Sequence, residues 1–315
     1  MINPMMHRMM ICSALAAAPL LLVSCGSDSD MPVLAGNVAG ATSEGESLYQ
    51  EAKSADESGN TGRAVKLYDQ VATRYPFAPS AAQARYRQAQ ILDQQGNIEK
   101  AFDAYDKFLS QFPASPNYSN ALNRQAAMAE AAADGGVKSS FLGMKSKLSL
   151  EKTVGMLDKV RANAPKSRIA SRAQLATGRL YQAKKKPREA IAAYRKLVAD
   201  QPDSPDAPEA MYLIGVTMME DAERGNQNQG NVDLAREAFN DYLTQYPGHQ
   251  RNAEARKRLS SLGGADLQRS FDVAEFYLKT GRTESAKVYY RDIVKRSGSG
   301  KIHDASRARL KELGE

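Results

Sequence analysis

Two cysteines and three histidines are the side chains of this 315-residue chain best suited to metal binding or nucleophilic work, and their placement leaves little for either. A structural zinc site takes four Cys or His ligands brought close together. His7 and Cys12 fall in an N-terminal stretch that reads as a leader, and His249 and His303 stand far apart, in or beside expected loops. No Ser or Cys has the setting of a nucleophile, no glycine-rich phosphate loop follows a strand, and there is no HExxH. Carboxylates are plentiful, but they recur at helix-surface spacing with Lys or Arg nearby, the pattern of ordinary surface charge. The expectation is a protein that is no enzyme and holds no metal and no cofactor. One thiol does have a chemical assignment. Cys25 closes Leu22-Val23-Ser24-Cys25, which has the form of a bacterial lipobox, where a small residue before the Cys permits cleavage and the thiol is diacylated.

The segment that would present this thiol is a leader. Its 24 residues hold Arg8, no acidic residue and the apolar stretch 9–23, the n-region and h-region of a secretory signal. It is too short and too weakly flanked for a stable membrane span. The alternative is an ordinary signal peptide with an incidental Cys. Residues 26–45 are Gly, Ser, Ala, Asp and Val without helical period, so they read as a flexible tether with an r.m.s. span of roughly 25 Å and a limit of about 70 Å. A Cys with two or three acyl chains would anchor such a tether stably. The expected division is therefore a signal peptide over 1–24, a lipidated tether over 25–45 and a folded unit over 46–315.

The folded unit repeats. Ala52, Gly59, Ala64, Tyr68 and Pro76 are matched 37 residues later by Ala89, Gly96, Ala101, Tyr105 and Pro113. Gly178, Tyr181, Ala190, Tyr194 and Pro202 keep the spacing, as do Ala274, Tyr277, Gly281, Ala286 and Tyr290, and a fifth unit holds Gly215, Ala235, Phe239 and Pro247. These offsets are those of the tetratricopeptide repeat, in which small residues let two helices approach, an aromatic fills the remaining gap and Pro ends the second helix. The expected fold is all-α, a right-handed tetratricopeptide-repeat solenoid of about six helix pairs. Its third pair is degenerate, with helices over 120–133 and from about 150 to 164, and insertions fall at 134–150 and 225–231. No strand signal is visible.

Charge is uneven along the chain. Residues 138–198 hold sixteen Lys and Arg against three acidic residues, while residues 25–137 and 199–250 are net acidic and 251–315 net basic. In an exported protein the basic stretch argues for acidic proteins, anionic lipid head groups or contact with the neighbouring acidic segments, and no nucleic-acid partner is expected. Helix faces that alternate in sign for solubility are the bland alternative.

In a tetratricopeptide stack the first helices line the concave groove, through positions three before and one after the small residue. Here those are Tyr49, Tyr86, Leu175, Tyr212 and Phe271, then Lys53, Gln90, Arg179, Val216 and Glu275. Tyr49, Lys53, Tyr86, Gln90, Arg179 and Tyr212 are the expected peptide-binding groove, with rings for side chains and Gln90 and Arg179 for the peptide backbone. The alternative is that the rings wedge adjacent repeats together.

Arg74-Tyr75-Pro76-Phe77-Ala78-Pro79, Met211-Tyr212-Leu213-Ile214-Gly215-Val216-Thr217, Lys257-Arg258-Leu259 and Val273-Ala274-Glu275-Phe276-Tyr277 resemble, in order and spacing, strings of the BamD-type outer-membrane assembly lipoproteins. The resemblance implies a lipid-anchored, periplasm-facing outer-membrane scaffold. It would receive unfolded outer-membrane protein clients in its N-terminal half and dock on the barrel subunit of the assembly machinery with its C-terminal repeat. The family's basic contact aligns with Ala265, so Arg258 and Arg269 are the nearest substitutes, beside Phe271 and Glu275. The chain departs from the family in carrying about one extra repeat, and in placing Phe141-Leu142-Gly143 one repeat early. A tetratricopeptide coordinator of cell-envelope or division processes is the competing function.

Overall fold

The computed structural model describes residues 38–136, 138–141, 144–224 and 229–315; Cys25, the leader and most of the tether lie outside them. Helices α1 (Val38–Glu57) and α2 (Thr61–Arg74), α3 (Ala81–Gln94) and α4 (Ile98–Gln111), and α5 (Tyr118–Ala133) and α6 (Leu150–Asn163) form the first three antiparallel pairs. They are followed by α7 (Arg168–Ala183) with α8 (Pro187–Asp200), α9 (Ala207–Arg224) with α10 (Gln229–Gln245), and α11 (Asn252–Lys279) with α12 (Thr283–Arg296); α13 (Lys301–Glu312) covers the end. Each pair packs on the next, which makes the chain a tetratricopeptide-repeat solenoid of six pairs.

Local chemistry sets the boundaries. Helices α2, α4, α6, α8 and α10 each stop two residues before a proline, Pro76, Pro113, Pro165, Pro202 and Pro247, because the residue preceding Pro is driven out of the helical region. Ser149 and Ser167 cap α6 and α7, their hydroxyls accepting from the amides of Lys152 (3.2 Å) and Ala170 (3.1 Å). At the turns after α1, α3 and α11 the chain passes through positive φ at Gly59, Gly96 and Gly281.

Packing explains the small residues. Ala52, Ala89 and Ala274 are wholly buried. A Cβ on Gly178 would overlap the Tyr194 ring, and one on Gly215 would stand 2.8 Å from the ring of Phe239. Alanine is therefore too large at these two positions.

Two expectations change, and one further feature was not foreseen. Residues 38–45 are helical instead of tether, since α1 packs there on the loop after α2. Gly45 lies against Tyr75 and Ala78, the Tyr75 hydroxyl donates to Glu44 (3.1 Å) and the Ser80 amide to Glu46 (2.9 Å). The insertion after α5 contains strands β1 (Lys138–Phe141) and β2 (Met144–Lys147), paired antiparallel with Lys138 opposite Lys147 and Phe141 opposite Met144. Its Lys- and Ser-rich strands lack the β-branched alternation that announces one. Finally, α11 runs unbroken for 28 residues through Gly263 and Gly264.

Candidate functional site

The expected groove tyrosines turn inward. Tyr49 and Tyr212 are buried and Tyr86 is half-buried. Each meets the aromatic of its own second helix: Tyr49 with Tyr68 at 5.8 Å between ring centroids, Tyr86 with Tyr105 at 6.1 Å, Tyr212 with Phe239 at 5.9 Å. Phe271 repeats the arrangement with Tyr290 at 5.6 Å. These separations suit tilted or edge-on aromatic contact. The space between two helices held apart by Ala or Gly takes two rings, so wedging accounts for Tyr49 and Tyr212, and neither offers a face to a peptide. Lys53 stays exposed, 3.7 Å from Glu57, and Gln90 is half-buried beside Arg87.

Arg179, Tyr212 and Arg258, expected in two separate sites, belong to one polar network joining α7, α9 and the start of α11. Arg258 Nε donates to the Tyr212 hydroxyl (2.8 Å) and its Nη2 to Glu254 (2.9 Å). Arg251 donates to Glu254 (2.9 Å) and, through two nitrogens, to Glu209 (3.1 and 3.2 Å), which also accepts from Arg179 (3.1 Å). The guanidinium of Arg251 lies 5.4 Å from the Tyr212 ring centroid, within cation–π range. Hydrogen bonds from Tyr212 and Arg258 hold the Glu254 carboxyl down at about 2, and burial pushes the Tyr212 hydroxyl up to about 12. Glu254 faces two arginines, Arg251 and Arg258, which favour its ionised form. Neither Glu209 nor Glu254 stood out in the sequence.

This network walls one end of a cavity of about 730 Å³, lined by α5, α7, the start of α9 and the loop before α11. Arg168, Arg172, Arg179 and Arg251 face Glu130, Asp134, Asp206 and Glu209 across it. Arg172 donates to Glu130 at 2.5 Å, while Arg168 is exposed at the N-terminus of α7. The surface is mixed in charge, wide and open, fit for a polar, extended chain. His249, at its rim, is bonded through Nδ1 to the Tyr242 hydroxyl (2.7 Å).

Two family models match. A tetratricopeptide repeat covers residues 49–116, and the YfiO family, described as an outer membrane lipoprotein, covers residues 144–297. The outer membrane protein assembly factor BamD of Caulobacter vibrioides is 24% identical over 137 residues, 44% of this chain. Over residues 144–297 the chain is similar to the outer membrane lipoproteins of the YfiO family. The aligned part spans 45% of that curated relative. Among solved structures, a tetratricopeptide repeat protein from Parabacteroides merdae aligns over 85% of this chain and 97% of its own, at 15% identity and TM-score 0.33. TTC0263 of Thermus thermophilus aligns over 69% and 98%, at 17% identity and TM-score 0.32.

The block shared with the BamD-type family runs from β2 through α12 and so includes the network and most of the C-terminal unit. Of the four residues expected to dock there, Arg258 is spent on Tyr212 and Glu254. Glu275 accepts from the Tyr290 hydroxyl (2.6 Å) and from Arg309 (2.8 and 3.2 Å), fixing α13 to α11. Phe271 is the half-buried partner of Tyr290, and Arg269 is half-buried in the middle of α11. Large apolar side chains left in the open near these four are Phe276 on α11 (60% exposed) and Val288 on α12 (58%); Phe77 and Leu234 are exposed elsewhere on the solenoid. Among the described residues no helix is long and apolar enough to cross a membrane.

Proposed function

We propose that this chain is a scaffold of outer-membrane protein assembly with no chemistry of its own. It is held in the outer membrane by lipid on Cys25, faces the periplasm, accepts segments of unfolded barrel-protein clients and docks on the barrel subunit of the assembly machinery. The observation that carries the proposal is the match to the outer membrane lipoprotein family over residues 144–297, which takes in α7, α9 and α11 around the cavity as well as α11 and α12 with their exposed apolar side chains. In this reading the two tasks fall on different surfaces. Clients lie along the first helices, on Lys53, the exposed edge of Tyr86, Gln90 and the mixed-charge cavity at Arg179. The barrel subunit meets Phe276 and Val288, with Arg256 and Lys257, exposed on the same long helix, drawing in an acidic partner at low salt.

Co-purification from detergent-solubilised membranes tests the proposal. The wild-type chain is expected to bring down the barrel subunit, and the double variant Phe276→Asp, Val288→Asp to lose it while still retaining a labelled client peptide. Recovery of peptidoglycan or division proteins in place of the barrel subunit would transfer the chain to the envelope-coordinator class. In parallel, Cys25→Ser should abolish incorporation of labelled fatty acid and release the protein from the membrane fraction.

A further inference from the structure

The acidic residues of the segment 199–250 are for the most part engaged. Asp200 pairs with Lys196 (2.8 Å), Glu209 with Arg179 and Arg251 (3.1 Å each), Asp221 with Arg224 (3.6 Å) and Asp233 with Arg236 (2.7 Å). Asp206 and Glu220 accept hydrogen bonds from Ser171 (2.5 Å) and Gln182 (3.0 Å). Glu237 and Asp241, one turn apart on α10, are both exposed and have no ion-pair partner among the described residues. They stand on the rim of a groove that includes neither the cavity at Arg179 nor the surface at Phe276.

This groove lies between α8 and α10, has α9 as its floor and encloses about 330 Å³. Met211, Ile214 and Met218 line the floor at i, i+3 and i+7 of one helical face. Arg195 and Val198 of α8 form one rim, and Leu234, Glu237 and Asp241 of α10 form the other. Leu234 is 47% exposed. Arg195 is exposed and, like the two acids, has no ion-pair partner among the described residues.

Two sister grooves show that the fold does not require this composition. Counted from the small residue of each first helix, Gly215, Ala89 or Gly178, the floor positions of Met211 and Ile214 are those of Arg85 and Gln88 in α3 and of Gln174 and Thr177 in α7. In the groove between α2 and α4, Arg85 donates to Gln88 and Thr73 (2.8 Å each) and to Asp69, which also accepts from Gln88 (3.1 Å). In the groove between α6 and α8, Gln174 donates to the Ala193 carbonyl (2.8 Å). On the rim, Leu234, Glu237 and Asp241 stand where α4 carries Lys100, Asp103 and Lys107. The polar side chains of the sister floors thus bond within the chain. An apolar floor open to water gains instead from apolar atoms brought by another molecule.

The rims define what carries those atoms. Glu237 and Asp241 are about 6 Å apart along the helix axis, and the floor from Met211 to Met218 runs for about 10 Å. A helix laid along the groove offers apolar side chains at i, i+3 or i+4, and i+7 over that length. Its flank then sets Lys or Arg, one turn apart, against the two acids. The thioethers of Met211 and Met218 adapt to whatever apolar side chains enter. An extended segment would turn its backbone edges toward the rims in place of side chains, and a small apolar molecule would leave the acids without a role.

We propose that the α8–α10 groove is the docking site of an amphipathic helix of a partner protein, one whose apolar stripe is flanked by basic side chains. It is separate from the surfaces assigned above to clients and to the barrel subunit, and it stands whether or not that assignment does.

The test uses the full-length chain with Cys25→Ser and, as probes, two fluorescein-labelled helical peptides of about 18 residues. Both carry the same leucine stripe; one has lysines one turn apart along its flank, the other glutamates at the same places. Fluorescence anisotropy should show the parent binding the lysine peptide about tenfold more tightly than the glutamate peptide, as two exposed ion pairs allow. Salt should narrow that gap. Glu237→Lys with Asp241→Lys should reverse the preference, and Leu234→Ser should weaken both peptides severalfold. All three positions are exposed, so melting temperatures should match the parent, and a reversed preference cannot be misfolding. Lys100→Glu with Lys107→Glu, on the sister groove, should change nothing. Equal binding of the two peptides by the parent, a preference that Glu237→Lys with Asp241→Lys leaves unmoved, or undiminished binding by Leu234→Ser overturns the proposal. So does a parent that sediments as a dimer and is made monomeric by Leu234→Ser, since a second copy would then own the groove.

Discussion

The two ends of α11 belong to different parts of the molecule. From Asn252 to Leu262 the helix is set into the fifth repeat, with Ala255 and Leu262 buried there, the Asn252 amide group donating to the Tyr246 carbonyl (3.0 Å) and Arg258 locked to Tyr212. From Phe271 to Lys279 it shares a separate apolar cluster with α12 and α13, centred on Ala274, Ala286 and Tyr290. Between them Gly263 and Gly264 have open space where a Cβ would stand, and an ion pair from Asp266 to Arg296 ties the middle of the helix to α12. Backbone continuity therefore does not make α11 one cooperative element. Its first half owes its stability to the solenoid and its second to the terminal unit, and in repeat proteins stability follows such neighbour contacts.

That contrast can be broken most sharply at Tyr212. Tyr212→Ala removes a buried ring from between Phe239 and Tyr242 and leaves Arg258 without its hydroxyl acceptor, so a loss of about 3–5 kcal/mol is expected. Thermal unfolding should show it, and hydrogen exchange should place it in α9, α10 and the first half of α11. Phe271→Ala, at a half-buried position, should cost about 1–3 kcal/mol. Its faster exchange should be confined to α12, α13 and the second half of α11; spread into α9 and α10 would mean the two ends act as one. Replacing both glycines by alanine should stabilise the middle of the helix by up to about 1 kcal/mol at each position, the difference in helix propensity. A lower melting temperature would show that the glycine backbone is needed there.

The smallest effect concerns pH. The Glu254 carboxyl is held at about 2 in the folded chain by Tyr212 and Arg258, below the ordinary value of about 4.3 in an unfolded one. Its contribution is thus complete above about pH 4.3 and disappears as the pH falls toward 2. With its side chain partly in solvent, screening limits it to under about 1 kcal/mol. Acid unfolding of Glu254→Gln should accordingly be flatter between those limits than that of the wild type, and identical curves would remove Glu254 from the stability of the first half of α11.

The repeat frame was legible because it rests on size. A residue that must be small at the helix contact, a ring opposite it and a proline after it leave marks at fixed offsets, and the six pairs follow. The site was legible in part. Spacing alone does not distinguish a groove ring from a wedging one at Tyr49 and Tyr212, because the gap between paired helices takes two rings. Glu209 leaves no signal of its own, because a carboxylate on a helix surface looks solvated when its partners, Arg179 and Arg251, stand 30 and 42 residues away. The ribbon left no trace because four-residue strands of Lys and Ser carry no apolar alternation.

The ring pairs also give the molecule an optical identity. It contains fourteen Tyr and no Trp, so its near-ultraviolet circular dichroism comes chiefly from tyrosines, and Tyr49–Tyr68, Tyr86–Tyr105, Tyr212–Tyr242 and Phe271–Tyr290 each join rings on two docked helices. Separating the helices of one pair would erase that pair's share of the signal while far-ultraviolet helicity persists. In the fourth pair Tyr194 lies against Gly178 and shares an apolar cluster with Leu175, which stands where those other pairs carry a ring, so Leu175→Trp, read by fluorescence, is the natural probe for that pair.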